Sequence, residues 1–175
     1  MTSVSDNQFA YVPLPGRGTT SALSLINNYI LRFLDEGSGA VRVLSVDFSK
    51  AFDTLPHRTI IDSAIHFSLP RQAVEWIYSF LCDRRQRVNF QDSVSDWCSC
   101  VSGVPQGSII GPLLFCLAID SLSSVCANSA MIKYADDVTV LHFVRREEDD
   151  DLQCEMDNIS AWSRSAGLSL NPTKC

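Results

Sequence analysis

Two short runs rich in strand-forming residues, Met131 to Tyr134 and Val138 to Phe143, flank a link of only Ala135, Asp136 and Asp137. A connection this short folds the two runs into an antiparallel β-hairpin and sets adjacent carboxylates at its tip. A second strand signal lies upstream, where Val41-Arg42-Val43-Leu44-Ser45-Val46 is rich in β-branched residues and stops at Asp47. It reads as a buried strand whose end presents an acid. If these strands are neighbours, Asp47, Asp136 and Asp137 converge. Two unit charges about 4 Å apart repel by roughly 1 to 4 kcal/mol at effective dielectrics between bulk water and a protein surface. Such a cluster calls for a compensating cation, and hard carboxylate oxygens suit magnesium. An Asp-Asp pair taken alone is more often structural turn chemistry than a functional site, so its surroundings have to decide.

Those surroundings are helical. Thr19 to Glu36 sets Leu23, Ile26, Ile30, Phe33 and Leu34 at helical spacing, with threonine caps at its start and Gly37 after it. Helices are expected from about Pro56 to Phe67 and from Arg71 to Leu81, separated at Pro70. A polar hairpin region follows through Gln91. Ser102 to Ser108 is loop chemistry, and the run from Ile109 to Cys126 has the leucine content of a buried helix started near Pro112. Glu147 to Ala166 places Leu152, Met156, Ile159 and Trp162 on one face, with acids at its start where the helix dipole favours them and Gly167 at its end. Leu168 to Leu170 begins a further strand. This order describes an α+β domain, helices packed on an antiparallel sheet. With 175 residues, 46% of them hydrophobic, one core is expected rather than two.

Several classes are excluded. The longest apolar stretch, Ile109 to Ile119, is broken by Gly111 and Pro112 and falls short of the roughly 20 residues a membrane span needs. The opening residues lack the features of a secretory signal, which points to an intracellular protein. Cys82, Cys98, Cys100, Cys116, Cys126, Cys154 and Cys175 show no CxxC spacing and no accompanying histidine pattern, so they read as reduced, partly buried thiols rather than zinc ligands. His57, His66 and His142 share no ligand spacing and read as capping or surface residues. A net charge of −6 argues against phosphate binding, but five of the acids form the single run Glu147 to Asp151 and without them the balance is −1. That run reads as the solvated first turn of a helix.

Four segments settle the reading of the acids: Ser45-Val46-Asp47-Phe48-Ser49-Lys50-Ala51-Phe52-Asp53, Ser102-Gly103-Val104-Pro105-Gln106-Gly107-Ser108, Lys133-Tyr134-Ala135-Asp136-Asp137 and Gly167-Leu168-Ser169-Leu170-Asn171-Pro172-Thr173-Lys174. In order and spacing they resemble four successive motifs of reverse transcriptases. Gln8-Phe9-Ala10-Tyr11 and Pro15-Gly16-Arg17-Gly18-Thr19-Thr20 resemble the segment before the catalytic strand in LINE-type, non-long-terminal-repeat retrotransposon enzymes. The resemblance spans nearly the whole chain. It implies a polymerase palm with a ferredoxin-like core over residues 41–175, and a fingers-proximal remnant over residues 1–40. The rest of the fingers would lie before Gln8, the thumb after Lys174, and an endonuclease elsewhere, so the chain is expected to be a fragment.

The same resemblance implies the chemistry. Asp47, Asp136, Asp137 and the backbone carbonyl of Phe48 would hold two magnesium ions, with manganese able to substitute. Phe52 would stack beneath the deoxyribose and exclude a 2′-hydroxyl. Gln106 and Gly107 would contact the incoming nucleotide and template, the glycine allowing close backbone approach, and Lys174 would protonate or neutralise the pyrophosphate leaving group. The partners would be an RNA template, a DNA primer and dNTPs. Arg84, Arg85 and Arg87 form the densest basic group, suited equally to duplex phosphates and to a solvated loop. An RNA-dependent RNA polymerase would need a small or hydrogen-bonding residue where Phe52 stands, and a palm-like nucleotide cyclase leaves Gly103 to Ser108 unexplained. The remaining rival is a catalytically inactive truncated or domesticated remnant that at most binds nucleic acid.

Overall fold

The computed structural model describes residues 4–11, 15–37, 39–146 and 150–175. In chain order its elements are α1 (Thr19–Asp35), β1 (Ala40–Val46), α2 (Ala51–Thr54), α3 (His57–His66), α4 (Arg71–Leu81), the short strands β2 (Arg85–Gln86), β3 (Asn89–Phe90), β4 (Ser93–Val94) and β5 (Cys98–Ser99), then α5 (Gly111–Ile119), β6 (Ser129–Tyr134), β7 (Asp137–Val144) and α6 (Leu152–Ala166). β1, β7 and β6 form an antiparallel sheet in that order, while β2 pairs with β5 and β3 with β4 in two small ladders. This is an α+β architecture, an antiparallel sheet packed by helices. Among the described residues no helix is long and apolar enough to cross a membrane.

Period-two alternation along the strands divides the apolar residues between two layers. Val46, Met131, Val138 and Val140 face the main core, which they share with Leu114, Phe115 and Ile119 of α5, Ile60 of α3, Leu81 of α4 and Ile159 of α6. Ile132, Leu141 and Phe143 face the other way, onto Ala22, Ile26 and Ile30 of α1. Each fully buried side chain of this size contributes about 1.5 to 3 kcal/mol relative to exposure, so the sheet is held from both sides. The hairpin acids lie where it emerges from the core.

Several expectations need correction. The Val41 to Val46 run is a strand, but it forms the sheet edge and only Val46 is buried. β-branching reports strand propensity, and burial depends on neighbours that β1 lacks along one side. In α1 the threonines are the first helical residues and Gly18 is the N-cap, without a side-chain cap. The inward stripe of α1 runs through Ala22, Ile26 and Ile30, leaving Leu23 and Leu34 exposed. The polar hairpin region continues past Gln91 to Ser99. Ile109, expected to open a buried helix, is 96% exposed, and α5 ends at Ile119 rather than Cys126.

The early end of α5 has a visible cause. Lys133 of β6 is fully buried, and its ammonium donates to the carbonyls of Ile119 (3.4 Å), Asp120 (2.9 Å) and Leu122 (2.9 Å), which a longer helix would have used itself. α6 begins at Leu152, and residues 147–149 of the expected acidic first turn lie outside the described residues. Its buried face is Glu155, Ile159, Ser163 and Ala166, and Met156 is exposed. Glu155 turns inward because its Oε1 accepts the Ser124 hydroxyl and the amides of Val125 (3.1 Å) and Cys126 (2.8 Å). His142 is buried rather than superficial, its Nε2 accepting the Asp151 amide at 3.0 Å and its Nδ1 lying 2.8 Å from the Ser129 hydroxyl. Leu168 to Leu170 makes a single bridge, Phe48 to Leu170, rather than a strand.

Candidate active site

The register of β1 and β7 positions the acids. Val46 pairs with Val138, and one further step along both strands brings Asp47 level with Asp137. Tyr134 pairs with Asp137, so only Ala135 and Asp136 form the turn. Ala135 adopts φ 54°, a left-handed conformation that costs a residue with a Cβ about 1 to 2 kcal/mol. A neighbouring segment holds the turn in place. Phe9 donates its amide to the Lys133 carbonyl (2.9 Å), and Lys133 returns a bond to the Asn7 carbonyl (2.8 Å). The buried Gln8 side chain accepts through Oε1 from the amides of Ala10 (3.0 Å) and Ala135 (3.3 Å).

The sequence motif containing Gln8 carried no assigned role, and the polar run Ser5-Asp6-Asn7 before it gave no signal of burial. Gln8→Leu is expected to destabilise the chain by about 2 kcal/mol, because it strands two buried amide donors beside the acidic turn. Urea unfolding measures this, and a change below about 0.5 kcal/mol would show that the turn holds without the amide.

A cleft of about 460 Å³ brings Asp47, Phe48, Phe52, Gln106, Asp136 and Lys174 to one surface. Asp47 Oδ2 accepts from Asn171 Nδ2 at 2.9 Å, and the Lys174 ammonium stands 3.6 Å from the same oxygen. Asp136 is half-buried. Burial pushes its carboxyl above the usual range; a hydrogen bond from its own amide opposes this, and the charges of Asp137 and Asp47 push further up. Lys174 offsets part of that repulsion. Hard oxygen donors that repel one another at an open cleft fit a divalent cation of the magnesium type. Asp137 is exposed and is not part of the cleft lining, though its charge reaches Asp136.

The Phe48 carbonyl also has a clear geometry. The bridge to Leu170 runs through Ser49 N to Ser169 O (2.8 Å) and Asn171 N to Asp47 O (2.9 Å), so Phe48 contributes neither donor nor acceptor to it. Asn171 was missed as an individual residue; it orients Asp47 through both side chain and backbone.

Phe52 has two surroundings. Its ring stacks on Phe115 with centroids 4.5 Å apart, and it also lines the cleft five residues beyond Asp47. The loop after β5 is clamped onto α2: Val104 N donates to Phe52 O (2.8 Å), Gly103 N to Leu55 O (2.8 Å), and Gln106 Nε2 to Asp53 Oδ1 (2.7 Å). The tight glycine here is Gly103. A Cβ on it would lie 2.5 Å from Asp53 O and 2.6 Å from Phe52 O, whereas Gly107, at φ 79°, has open space around it.

The three arginines diverge. Arg84 donates to the carbonyls of Leu81 (3.0 Å) and Gly103 (3.1 Å), Arg85 lies on the exposed β2 ladder, and Arg87 packs 4.6 Å over the Trp97 ring. Arg84 also lines a polar groove of about 710 Å³ that shares Lys50, Asp53 and Gln106 with the acidic cleft.

Comparison with known proteins gives the family and the fold. The profile of the family described as reverse transcriptase (RNA-dependent DNA polymerase) matches residues 2–175. The probable RNA-directed DNA polymerase from transposon X-element of Drosophila melanogaster is 33% identical over 137 residues, 75% of this chain and 15% of the relative. The Pol polyprotein from the type-1 retrotransposable element R2 of Popillia japonica is 26% identical over 171 residues, 90% of this chain and 27% of the relative. The chain thus spans less than a third of the length of either. Telomerase from Candida tropicalis, solved with a TWJ fragment of telomeric RNA, superposes with a TM-score of 0.73 at 14% identity, over 96% of this chain and 29% of its own. The apo enzyme gives 0.72 at 13% identity, over 96% of this chain and 32% of its own. At such identities the likeness is one of fold. With the family profile covering nearly every residue, the chain belongs to the reverse transcriptase (RNA-dependent DNA polymerase) family.

Proposed function

We propose that this chain is the palm of an RNA-directed DNA polymerase of a retrotransposon, with residues 41–175 carrying the catalytic motifs and residues 1–40 flanking the fingers. The observation that supports this most is the meeting of Asp47 and Asp136, 89 positions apart in sequence, in one open cleft walled by Phe52 and Gln106. In the reaction the 3′-hydroxyl oxygen of a DNA primer forms a bond to the α-phosphorus of a dNTP and pyrophosphate departs, with RNA as template. Asp47, Asp136, Asp137 and the Phe48 carbonyl would hold two magnesium ions, or manganese in their place. When bound, these supply charge neutralisation at the phosphoryl oxygens.

The chain's own residues do the remaining work. Asn171 fixes the Asp47 carboxylate, and Gln8 fixes the turn beneath Asp136. Gln106, tied to Asp53, would present a polar edge to the incoming nucleotide and template, and Lys174, 3.6 Å from the Asp47 carboxylate, would neutralise or protonate departing pyrophosphate. Arg84 lines the polar groove beside the cleft as a candidate phosphate contact, through a side chain already pinned by two carbonyls, and Arg85, on the exposed β2, and Arg87, just after it, are candidates nearby.

Primer extension on an RNA template by the purified chain, with magnesium or manganese, tests the reading. Extension abolished by Asp137→Asn supports it; a folded, metal-binding chain that extends nothing favours the inactive remnant. Phe52 gives a finer test. Its ring occupies the cleft wall while resting on Phe115, so Phe52→Val opens space where a 2′-hydroxyl would sit. Ribonucleotide incorporation relative to deoxyribonucleotide is expected to rise about 10- to 100-fold. Unchanged discrimination in a folded variant would remove the gate assignment.

A further inference from the structure

Away from the cleft, the segment joining α5 to β6 meets the start of α6 and brings together groups distant in sequence. Cys126 Sγ, Cys154 Sγ and a carboxylate oxygen of Asp151 all lie within 4.8 Å of one another, with Cys126 half-buried and the other two at the surface. None of the three lines the acidic cleft. The backbone around them is fixed: His142 Nε2 receives the Asp151 amide, and the Cys154 amide donates to the Asp151 carbonyl at 3.0 Å.

A second observation is independent of these three. Glu155 is fully buried, and only one of its oxygens is satisfied. Oε1 accepts three hydrogen bonds, from Ser124, Val125 and Cys126, whereas Oε2 is buried and has no hydrogen-bond partner. Its carboxylate interacts with the Cys126 thiol, which in turn interacts with Cys154. A buried carboxylate oxygen without a donor is costly. Here it belongs to the residue next to Cys154 in the chain, whose carboxylate interacts with the Cys126 thiol of the cluster.

We propose that Cys126, Asp151, Cys154 and Glu155 form a binding site for a thiophilic divalent cation, zinc by ligand chemistry, that ties the segment preceding β6 to the first turn of α6. Two thiolates with two carboxylates are soft enough to favour zinc over magnesium. Tetrahedral zinc, with Zn–S about 2.3 Å and Zn–O about 2.0 to 2.2 Å, needs ligand atoms roughly 3.4 to 3.8 Å apart. Cys126, Asp151 and Cys154 lie within 4.8 Å of one another, and the exposed side chains of Asp151 and Cys154 would rotate to close the remaining distance. The positive end of the α6 dipole opposes a cation only weakly at an exposed first turn, a small effect against anionic ligands. No position is left open for a reacting group, so the site is structural.

Cobalt titration of the reduced full chain tests this, because Co²⁺ bound by thiolates shows sulfur-to-metal charge-transfer absorption and a strong tetrahedral ligand-field band. One equivalent should bind with both signals, and zinc should displace it. The signals should vanish in Cys126→Ser/Cys154→Ser and persist in Cys98→Ser/Cys100→Ser. Asp151→Asn, at the surface, should weaken binding at least tenfold with an unchanged circular dichroism spectrum, as should Glu155→Gln. Absence of the charge-transfer band in the folded, reduced chain, or its persistence in the Cys126/Cys154 double variant, would overturn the site.

Discussion

Asp136→Asn is expected to lower templated extension by about 10³-fold or more, the scale of losses when one member of an electrostatic constellation is removed, and at the same time to raise the melting temperature of the metal-free chain. The two effects share one cause. Burial, and then the charges of Asp137 and Asp47, raise the Asp136 carboxyl in the folded state, against its own amide and Lys174. A carboxyl raised on folding binds its proton more tightly in the native chain, so its ionised form costs stability at neutral pH. That cost fades as the pH falls through the folded value, and it is gone below about 3.9, where the unfolded carboxyl is protonated too. Asparagine keeps the shape and removes the charge. The stabilisation should therefore be present at pH 7 in EDTA and absent near pH 3.5, and the magnesium-induced rise in melting temperature should shrink. A variant no more stable than the parent at pH 7 would mean that Asp136 is not under the electrostatic load described, and a variant that still extends primers would remove it from the metal-binding set.

How much of this was legible beforehand follows from which residues speak for themselves. The hairpin of β6 and β7 was readable because a three-residue link between two strand-prone runs admits few other folds, and Asp47 was readable because a strand ended on it. α3 and α4 were readable within a residue or two because Pro56 and Pro70 mark their starts. What stayed hidden was polar: Gln8, Lys133, His142 and Glu155 are all fully buried. Periodicity treats such residues as surface, since the partners that justify their burial lie far along the chain, Ala135 for Gln8 and Ser124 to Cys126 for Glu155. In α6 this turned the inward face from Met156 to Glu155. The proximity of Cys126 to Cys154 was hidden in the same way, because spacing rules detect clusters only when they are local.

Lys133→Met shows what such a hidden residue is worth: it is expected to cost about 3 to 5 kcal/mol, the penalty for deleting one side of a buried charged network. Methionine retains most of the stem, so little packing is lost. What is lost is the ammonium that satisfies the carbonyls of Ile119, Asp120 and Leu122 and stands 3.9 Å from the Asp120 carboxylate. Exchanging a whole buried ion pair for apolar groups is often neutral, but here the three carbonyls and the aspartate remain behind. Against a total stability of about 5 to 15 kcal/mol, that loss takes about a fifth or more of the total. The pH dependence separates this cause from simple cavity formation. Burial lowers the Lys133 ammonium from 10.5 to about 8, against the opposing charge of Asp120. Between about pH 8 and 10.5 the unfolded chain then binds more protons at this residue than the folded one, so its contribution to stability rises with pH across that window. Urea unfolding at pH 7 and at intervals to pH 10 should show the gap between parent and variant flat up to about pH 8 and widening above it. A gap under about 1 kcal/mol at pH 7 would mean the α5 carbonyls find other donors. A full loss with no pH dependence would mean that Lys133 acts through packing alone. The expected outcome ties the end of α5 to β6 three residues before Asp136, so the buried amine that closes the helix also anchors the strand that presents the acid.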